Sequence, residues 1–356
     1  MFFKRGKLFL AFLLLIGMTA VSIARAEHMK APEFPRGLEW INSDPLTISG
    51  LKGKVVLIDI WDYTCINCIR TLPYIKEWQG RYSEYGLVIV GVHTPEFAFA
   101  KKIENVKEAI ERVKITYPVV LDNDYKIWSL YANRYWPRKY LIDADGYIVY
   151  DHAGEGDYRK TELLIQELLK NINPKAKFPK PFTAPGLAES GGRCYLITGE
   201  LYLGYEVGQL GNTEGHIPEA VVTYKDNGQY QDGRVYANGR WLNLAQSLRH
   251  ALEDKSLNDY IAIKYHALSA NAVIKAAKES SYKVFVKQDD SFVEPNDRGE
   301  DIKVDEAGRT YLEIGQSRMY RIIKNNKFGT HALKLYCESD AFEIYAFTFG
   351  SCEKSD

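Results

Sequence analysis

The sequence predicts a protein of two domains, an α/β domain followed by an all-β domain. Its 356 residues suit roughly two domains of ~150 residues each. In the first half, apolar runs at 55–61 and 87–92 alternate with helical patterns, as strands separated by helices do. In the second half, short segments such as 282–287 and 342–349 alternate apolar and polar residues, which is typical of antiparallel strands. A proline-rich stretch between the two patterns predicts a linker.

The first 26 residues have the pattern of a secretory signal peptide. Basic residues at 4, 5 and 7 precede an apolar run at 8–24, and Ala24-Arg25-Ala26 has the small-x-small pattern of a cleavage site. The alternative is an uncleaved membrane anchor, because the run has about the minimum length for a bilayer span. We therefore expect a periplasmic or secreted protein whose domains occupy 31–171 and 190–352, joined by a linker at 172–189.

The composition excludes some classes of protein. Basic and acidic residues are equal in number, 46 of each, so no broad positive surface for nucleic acid is expected. A hydrophobic share of 46% excludes a disordered chain. Nucleic acid is therefore not expected among the partners.

The elements of the first domain follow from the order of its patterns. After the strand at 55–61 we expect a helix at 69–85, then the strand at 87–92 and a helix at 100–115. Short strands are expected at 119–121 and 140–142, with 146–151 pairing through the Asp145-Gly146 turn and a closing helix at 158–171.

The strongest chemical signal is Cys65-Ile66-Asn67-Cys68, directly after the apolar run at 55–61 and before the predicted helix. The start of a helix carries partial positive charge, which favours a thiolate at Cys65 and so favours thiol-disulfide exchange. Half of a zinc site is the alternative, but that needs a second cysteine or histidine pair at ligand spacing, and the sequence has none. No metal and no cofactor are therefore expected beyond the cysteine pair itself.

Two segments of the first domain carry a family resemblance. The segments WDYTCINCIRTLPY at 61–74 and YWPRKYLIDADG at 135–146 resemble the active-site segments of thioredoxin-like proteins of the TlpA type. The resemblance is greatest to the soluble C-terminal part of DipZ-type proteins, with GVHTPEFAF at 91–99 and AGEGDY at 153–158 as further matches. It implies a thioredoxin-like fold and thiol-disulfide oxidoreductase activity.

The resemblance also implies roles for four residues. Cys65 would attack a substrate disulfide, Cys68 would resolve the mixed disulfide, and Asp59 would relay a proton to or from Cys68. Pro137 would be the proline of a cis peptide bond whose loop faces the cysteines. The residue pattern itself supports a special role for Asp59, since an acid inside an apolar run is costly unless it is paired or functional. The alternative is that Asp59 faces water.

Three neighbouring residues are predicted to contact substrate. Trp61 and Thr64 flank the cysteine motif, and Trp136 precedes Pro137, where thioredoxins usually carry a smaller residue. Trp61 is also a candidate for the wall of the site or the core. His93 follows a strand and could be read as a metal ligand, but the sequence favours packing or hydrogen bonding.

The second domain resembles, less specifically, the carbohydrate-binding-module-like jelly roll that follows the thioredoxin domain in DipZ-type proteins. The predicted fold class is therefore an α/β thioredoxin-like domain followed by an all-β jelly-roll sandwich. A glycan partner is one interpretation, with pyranose stacking on aromatic residues; structural filling or a contact between domains is the other. The aromatic residues in question are Tyr202, Tyr205, Trp241 and Tyr260.

Three more cysteines lie in the second domain, at 194, 337 and 352. A hairpin turning at Ser339-Asp340 would place Cys337 and Cys352 too far apart to bond. Pairing of Cys194 with Cys352 and three free thiols are the two interpretations that remain.

These observations predict an extracytoplasmic thiol-disulfide oxidoreductase that acts on protein disulfides, as a reductase. The resemblance implies a membrane electron donor of the CcdA/DsbD type. Two alternatives stay open: a peroxiredoxin-like peroxidase, although the proline such enzymes need before the cysteine is missing, and a glycan- or protein-binding module whose cysteines only sense redox state.

Overall fold

A computed structural model describes residues 29–183, 196–251, 257–277 and 280–350. The predicted signal peptide, Cys194 and Cys352 lie outside these residues, so both the cleavage and the cysteine pairing stay predictions. None of the helices within the described ranges is long and apolar enough to cross a membrane.

The first domain is a six-stranded sheet with helices on both faces. The strands have the order β1-β4-β3-β2-β5-β6, with β2, β3 and β4 parallel and the others antiparallel to their neighbours. The bounds are β1 (Trp40–Ile41), β2 (Val55–Trp61), β3 (Leu87–His93), β4 (Val119–Leu121), β5 (Arg138–Ile142), β6 (Ile148–Ala153), α1 (Ile66–Tyr82), α2 (Ile103–Val113), α3 (Lys126–Leu130) and α4 (Tyr158–Ile172).

Most of these elements were predicted, with two differences. The helix expected at 100–115 is a 3-10 turn, Ala98–Lys101, followed by α2, because the extended backbone of Lys102 separates them. The short elements β1 and α3 were not predicted, since two and five residues carry too little periodicity.

The central strand β2 is buried on both faces, which explains its unbroken apolar run. Val55, Leu57 and Trp61 join the core beneath α1 and α4, whereas Val56, Ile58 and Ile60 join the core on the opposite face. Since side chains alternate along a strand, Asp59 points to the α1 side. The strand alternation thus sets an acid beneath the helix that carries the cysteines.

The second domain is all β and antiparallel, as predicted. Its strands form one sheet in the order β14-β15-β12-β16-β11-β17-β10-β9-β8, with β13 and β7 at its margins. The bounds are β7 (Leu201–Tyr202), β8 (Val221–Tyr224), β9 (Val235–Asn243), β10 (Leu248–His250), β11 (Tyr260–Lys275), β12 (Tyr282–Gln288), β13 (Ser291–Phe292), β14 (Lys303–Val304), β15 (Thr310–Ile314), β16 (Arg318–Cys337) and β17 (Glu343–Gly350).

Two long strands connect the parts of this sheet. The first part of β11 pairs with β9 and its second part with β17, while β10 joins β9 to β17. β9, β11, β17 and β10 therefore form a closed ring of paired strands. The predicted hairpin between the last two strands is wrong: β16 pairs with β11 and β12, and Cys337 lies opposite Val284. The reason is that β11 lies between β16 and β17.

The two domains share a packed interface. Four residues of the second domain, Val273, Met319, Tyr345 and Ala346, belong to the same core cluster as α1 and β2. The Tyr345 ring lies edge-on to Phe97 at 5.2 Å and to Phe99 at 4.9 Å, between ring centroids. The second domain is therefore seated on the segment that follows β3.

Candidate functional site

The two cysteines occupy different environments at the start of α1. Cys65 is the N-cap residue and is partly exposed, whereas Cys68 is completely buried in the first turn. The amide of Cys68 donates a hydrogen bond to Cys65 Sγ over 3.2 Å. An N–H donor at a helix N-terminus stabilises negative charge on the sulfur it faces. Cys65 is thus the accessible sulfur and Cys68 the shielded one.

Burial determines the protonation of Cys68. It raises the pKa of the Cys68 thiol well above its usual range, and Cys65 and the charge of Asp59 raise it further. Cys68 therefore stays a neutral thiol unless a nearby base removes its proton.

Asp59 is in a position to be that base. Its carboxyl group is fully buried, and neither oxygen has a hydrogen-bond partner in the described part of the chain. Burial raises the pKa of Asp59 to about 6, although the charge of Lys139 opposes this rise. The carboxyl group can therefore exchange a proton near neutral pH, as a proton relay to Cys68 requires. The alternative that Asp59 faces water is wrong.

Lys139 is a site residue that the sequence analysis missed. It lies directly opposite Asp59 in the antiparallel β2–β5 pair and is completely buried. Burial lowers its pKa, while the charges of Asp59, Cys68 and Glu155 counteract that effect. Its Nζ lies 5.6 Å from the centre of the Tyr158 ring. The signal was present in the sequence, since a lysine inside an apolar strand is as costly as an aspartate there.

Two aromatic side chains close the space around Asp59. Gly91 lies opposite Asp59 in β3, and a Cβ there would come within 3.1 Å of both Trp61 Nε1 and the Tyr117 ring. The charges of Asp59 and Cys68 add to burial in raising the pKa of Tyr117. Asp59, Cys68, Lys139 and Tyr117 thus form one buried polar group behind Cys65.

The loop before β5 forms the other side of the site. The Trp136–Pro137 peptide bond is cis, as predicted. Arg138 pairs with Ile60, so Pro137 lies at the same edge of the sheet as the end of β2 and the cysteines. The Trp136 indole donates a hydrogen bond to the Thr94 carbonyl over 3.0 Å and packs on Trp128 at 4.2 Å between ring centroids. Trp136 is half-buried and keeps part of its surface for a partner.

Trp61 and Thr64 do not fit the prediction that they contact substrate. Trp61 is 0% exposed and Thr64 is 1% exposed. Trp61 is enclosed because the strand directs it under α1, and the Thr64 backbone is fixed by a hydrogen bond from its amide to Asp62 Oδ1 over 2.8 Å. Their positions suit support of the cysteine loop rather than contact with a peptide.

His93 and Asp62 hold this loop from below. The His93 ring stacks on Tyr63 at 5.5 Å between centroids, and its Nε2 lies 3.6 Å from Asp62 Oδ1. Within the described ranges, no group of three or more histidine, cysteine or acidic side chains is arranged to hold a metal ion. His93 therefore serves in packing, against the Tyr63 ring.

Comparison with known proteins gives consistent matches. A family model described as Redoxin matches residues 27–164, and one described as Thioredoxin like C-terminal domain matches residues 198–350. Protein DipZ of Mycobacterium bovis is 32% identical over 326 residues, which are 90% of this chain and 43% of that protein. The chain thus spans less than half the length of that relative.

Two further matches cover the first domain. Thiol-disulfide oxidoreductase ResA of Bacillus thuringiensis is 30% identical over 129 residues, which are 36% of this chain and 69% of that protein. The crystal structure of a thiol-disulfide isomerase from Corynebacterium glutamicum is 25% identical, covers 39% of this chain and 96% of its own, and superposes with a TM-score of 0.36.

The raised pKa of Asp59 predicts a pH-dependent stability. The folded chain holds this proton up to about pH 6, whereas the unfolded chain releases it near its ordinary value of 3.8. The Asp59 contribution to the free energy of unfolding should therefore fall between about pH 4 and 6, by up to about 3 kcal/mol. Urea unfolding of the reduced parent and of Asp59→Asn at several pH values measures it. As the pH rises through this window, the free energy of unfolding of Asp59→Asn should increase relative to that of the parent. The control Asp124→Asn, at an exposed aspartate, should show no such increase. If the free energy of unfolding varied with pH in the same way in the parent and in Asp59→Asn, the raised pKa would be refuted.

Removal of the Lys139 charge should raise the Asp59 pKa above about 6, because the cation is what opposes the effect of burial. Carbon-detected NMR titration of the Asp59 carboxyl group in Lys139→Met measures this. Lys126→Met, at an exposed lysine, is the matched control and should leave the pKa of Asp59 unchanged. An unchanged Asp59 titration in Lys139→Met would show that the two groups do not interact.

Proposed function

The chain belongs to the thioredoxin-like thiol-disulfide oxidoreductases, and from that premise we propose that it reduces disulfide bonds of proteins outside the cytoplasm. The observation that carries the proposal is the asymmetry of the cysteine pair. A partly exposed Cys65 at a helix start adjoins a buried Cys68 that is held as a thiol beside Asp59.

The reaction starts from the dithiol. The Cys65 thiolate attacks one sulfur of a substrate disulfide, a Cys65–substrate disulfide forms, and the second substrate sulfur leaves as a thiolate that takes up a proton from water. The Asp59 carboxylate then accepts the Cys68 proton. The Cys68 thiolate attacks Cys65 Sγ, which releases the first substrate sulfur as a thiolate. That thiolate takes up a proton from water, and Asp59 returns to water the proton that it accepted from Cys68. The substrate gains two electrons and two protons, and the chain is left with a Cys65–Cys68 disulfide.

One feature of the site favours reduction over oxidation. A strongly oxidising pair stabilises its reduced form as a thiolate. Here the reduced pair carries at most one thiolate, that of Cys65, because burial disfavours a second one on Cys68.

Further parts of the proposal concern location and partners. The N-terminal segment supports export by a signal peptide, or anchoring if that segment is not cleaved. Such a reductase must be recharged after each turnover, and we infer a membrane electron donor of the CcdA/DsbD type. The redox group would be the cysteine pair itself, with no separate cofactor. A glycan on the second domain is a weaker proposal, since Trp241 is buried and Tyr202 bonds to the first domain.

The proposed roles are tested by trapping. A Cys68→Ala variant should accumulate mixed disulfides through Cys65, because the resolving attack is lost while the first attack is intact. Mass spectrometry of the adducts released by a reductant identifies the captured proteins. A Cys65→Ala variant, expressed and treated in the same way, should capture at background. Capture of the same proteins by both variants would contradict the assigned order of attack.

A further inference from the structure

A cleft of about 470 Å³ lies between the two domains. Its volume is within the ~300–1,000 Å³ range of ligand-binding clefts. The first domain contributes the loop at 95–98 and Tyr125, and the second contributes the turn at 244–247, Tyr345 and two carboxylates, Glu206 and Glu219. Neither domain forms this cleft alone.

The walls of the cleft are held in place by contacts across the interface. Gln246 accepts a hydrogen bond from the Ala98 amide over 2.9 Å. Tyr345 packs against Phe97 and Phe99 at its base. Tyr202 bonds to Glu96 over 2.6 Å at its side. The cleft is therefore formed before any ligand arrives, which lowers the entropic cost of binding.

The cleft connects with the redox site on two sides. On one side, Tyr125 donates a hydrogen bond to the Pro95 carbonyl and its ring lies 6.4 Å from that of Trp136, the residue before Pro137. On the other side, Asp62 accepts the Glu96 amide over 2.6 Å and the Thr64 amide over 2.8 Å, directly before Cys65. Residues that line the cleft therefore contact residues of the redox site on both sides.

The charges at the cleft favour a cationic ligand. The Tyr202 hydroxyl lies within 3.0 Å of both Glu96 and Glu200, and burial raises the pKa of Glu96 to about 8, so Glu96 is neutral at pH 7. Glu343 is paired with Lys275 over 2.7 Å. The remaining charges are the exposed carboxylates of Glu206 and Glu219 against one ammonium group, that of Lys101.

Two exposed apolar side chains lie close in sequence to the cleft carboxylates. Val207 follows Glu206 and is 64% exposed, and Ile217 lies two residues before Glu219 and is 50% exposed. The Tyr125 ring lines the same space, is half-buried, and can receive a lysine or arginine side chain. Carboxylates beside exposed apolar and aromatic groups match a basic segment of an extended chain.

We propose that this interdomain cleft binds a basic, extended segment of the substrate protein next to the disulfide that Cys65 attacks. The proposal rests on the proposed function and adds the substrate class to it. The second domain is, in this account, a selector of substrates that shares its binding surface with the redox domain.

Binding is tested first with peptides that contain no cysteine. Two eight-residue peptides that differ only in lysine or glutamate at three positions are titrated into the full chain by calorimetry. We expect about tenfold tighter binding of the basic peptide, with the preference lost in Glu206→Gln/Glu219→Gln. The control Glu294→Gln/Glu306→Gln changes two exposed carboxylates of the same domain away from the cleft and should keep the preference. Equal affinity, no binding, or a preference that survives in the cleft variant would overturn the proposal.

Turnover separates this proposal from the proposed function. The same basic and acidic sequences are placed beside a cystine, and kcat/KM is compared for each and for a small disulfide without a peptide. We expect a ratio of about ten in favour of the basic substrate, falling toward one in the cleft variant. Reduction of all three disulfides at equal kcat/KM would refute binding of a basic segment in the cleft but would support the proposed reductase activity. Binding of the basic peptide without reduction of any disulfide would support the cleft as a binding site but would refute the proposed reductase activity.

Discussion

The central constraint on the first domain is the cost of burying the Asp59 carboxyl group inside the sheet. An isolated carboxylate in such an interior is costly, and here burial moves its pKa to about 6 rather than excluding it. Lys139 on the neighbouring strand offsets part of this cost. The alternation of β2 then directs the pair toward α1, where Cys68 is buried above it. The chemistry of the cysteines follows from this placement.

The same arrangement explains why so much of the surrounding loop is buried. A carboxyl group with a raised pKa needs a site from which water is excluded, and Trp61 and Tyr117 supply part of the enclosing surface. Asp62 anchors the loop by accepting two backbone amides. The cysteine at the helix start, Asn67 in the first turn and the loop before Pro137 keep accessible surface. The second domain extends this accessible strip, because its turn at 244–247 meets the segment after β3.

Much of this could be read from the sequence because it is local. The apolar run of β2 and the cysteine spacing are each contained in a few residues, and each is found where expected. The cis bond at Pro137 is also found, but it was implied by the family resemblance rather than by the local pattern. Trp61 was assigned to substrate contact with the core as an alternative, and the core position is the one found, whereas the burial of Thr64 was not foreseen. Lys139 was missed because its partner is opposite it on another strand, which only the register reveals. The predicted hairpin of β16 and β17 was wrong for a related reason. Strands that are consecutive in the chain need not be neighbours in an antiparallel sheet, and here β11 lies between them.

The measurement that tests the central claim most directly is the rate at which iodoacetamide labels each cysteine of the reduced, folded chain, followed by peptide mass spectrometry. The account predicts that Cys65 is labelled first and that Cys68 is protected, as the buried Cys337 is, until urea unfolds the chain. Labelling of Cys68 as fast as Cys65, or protection of both, would contradict the asymmetry from which the mechanism is derived.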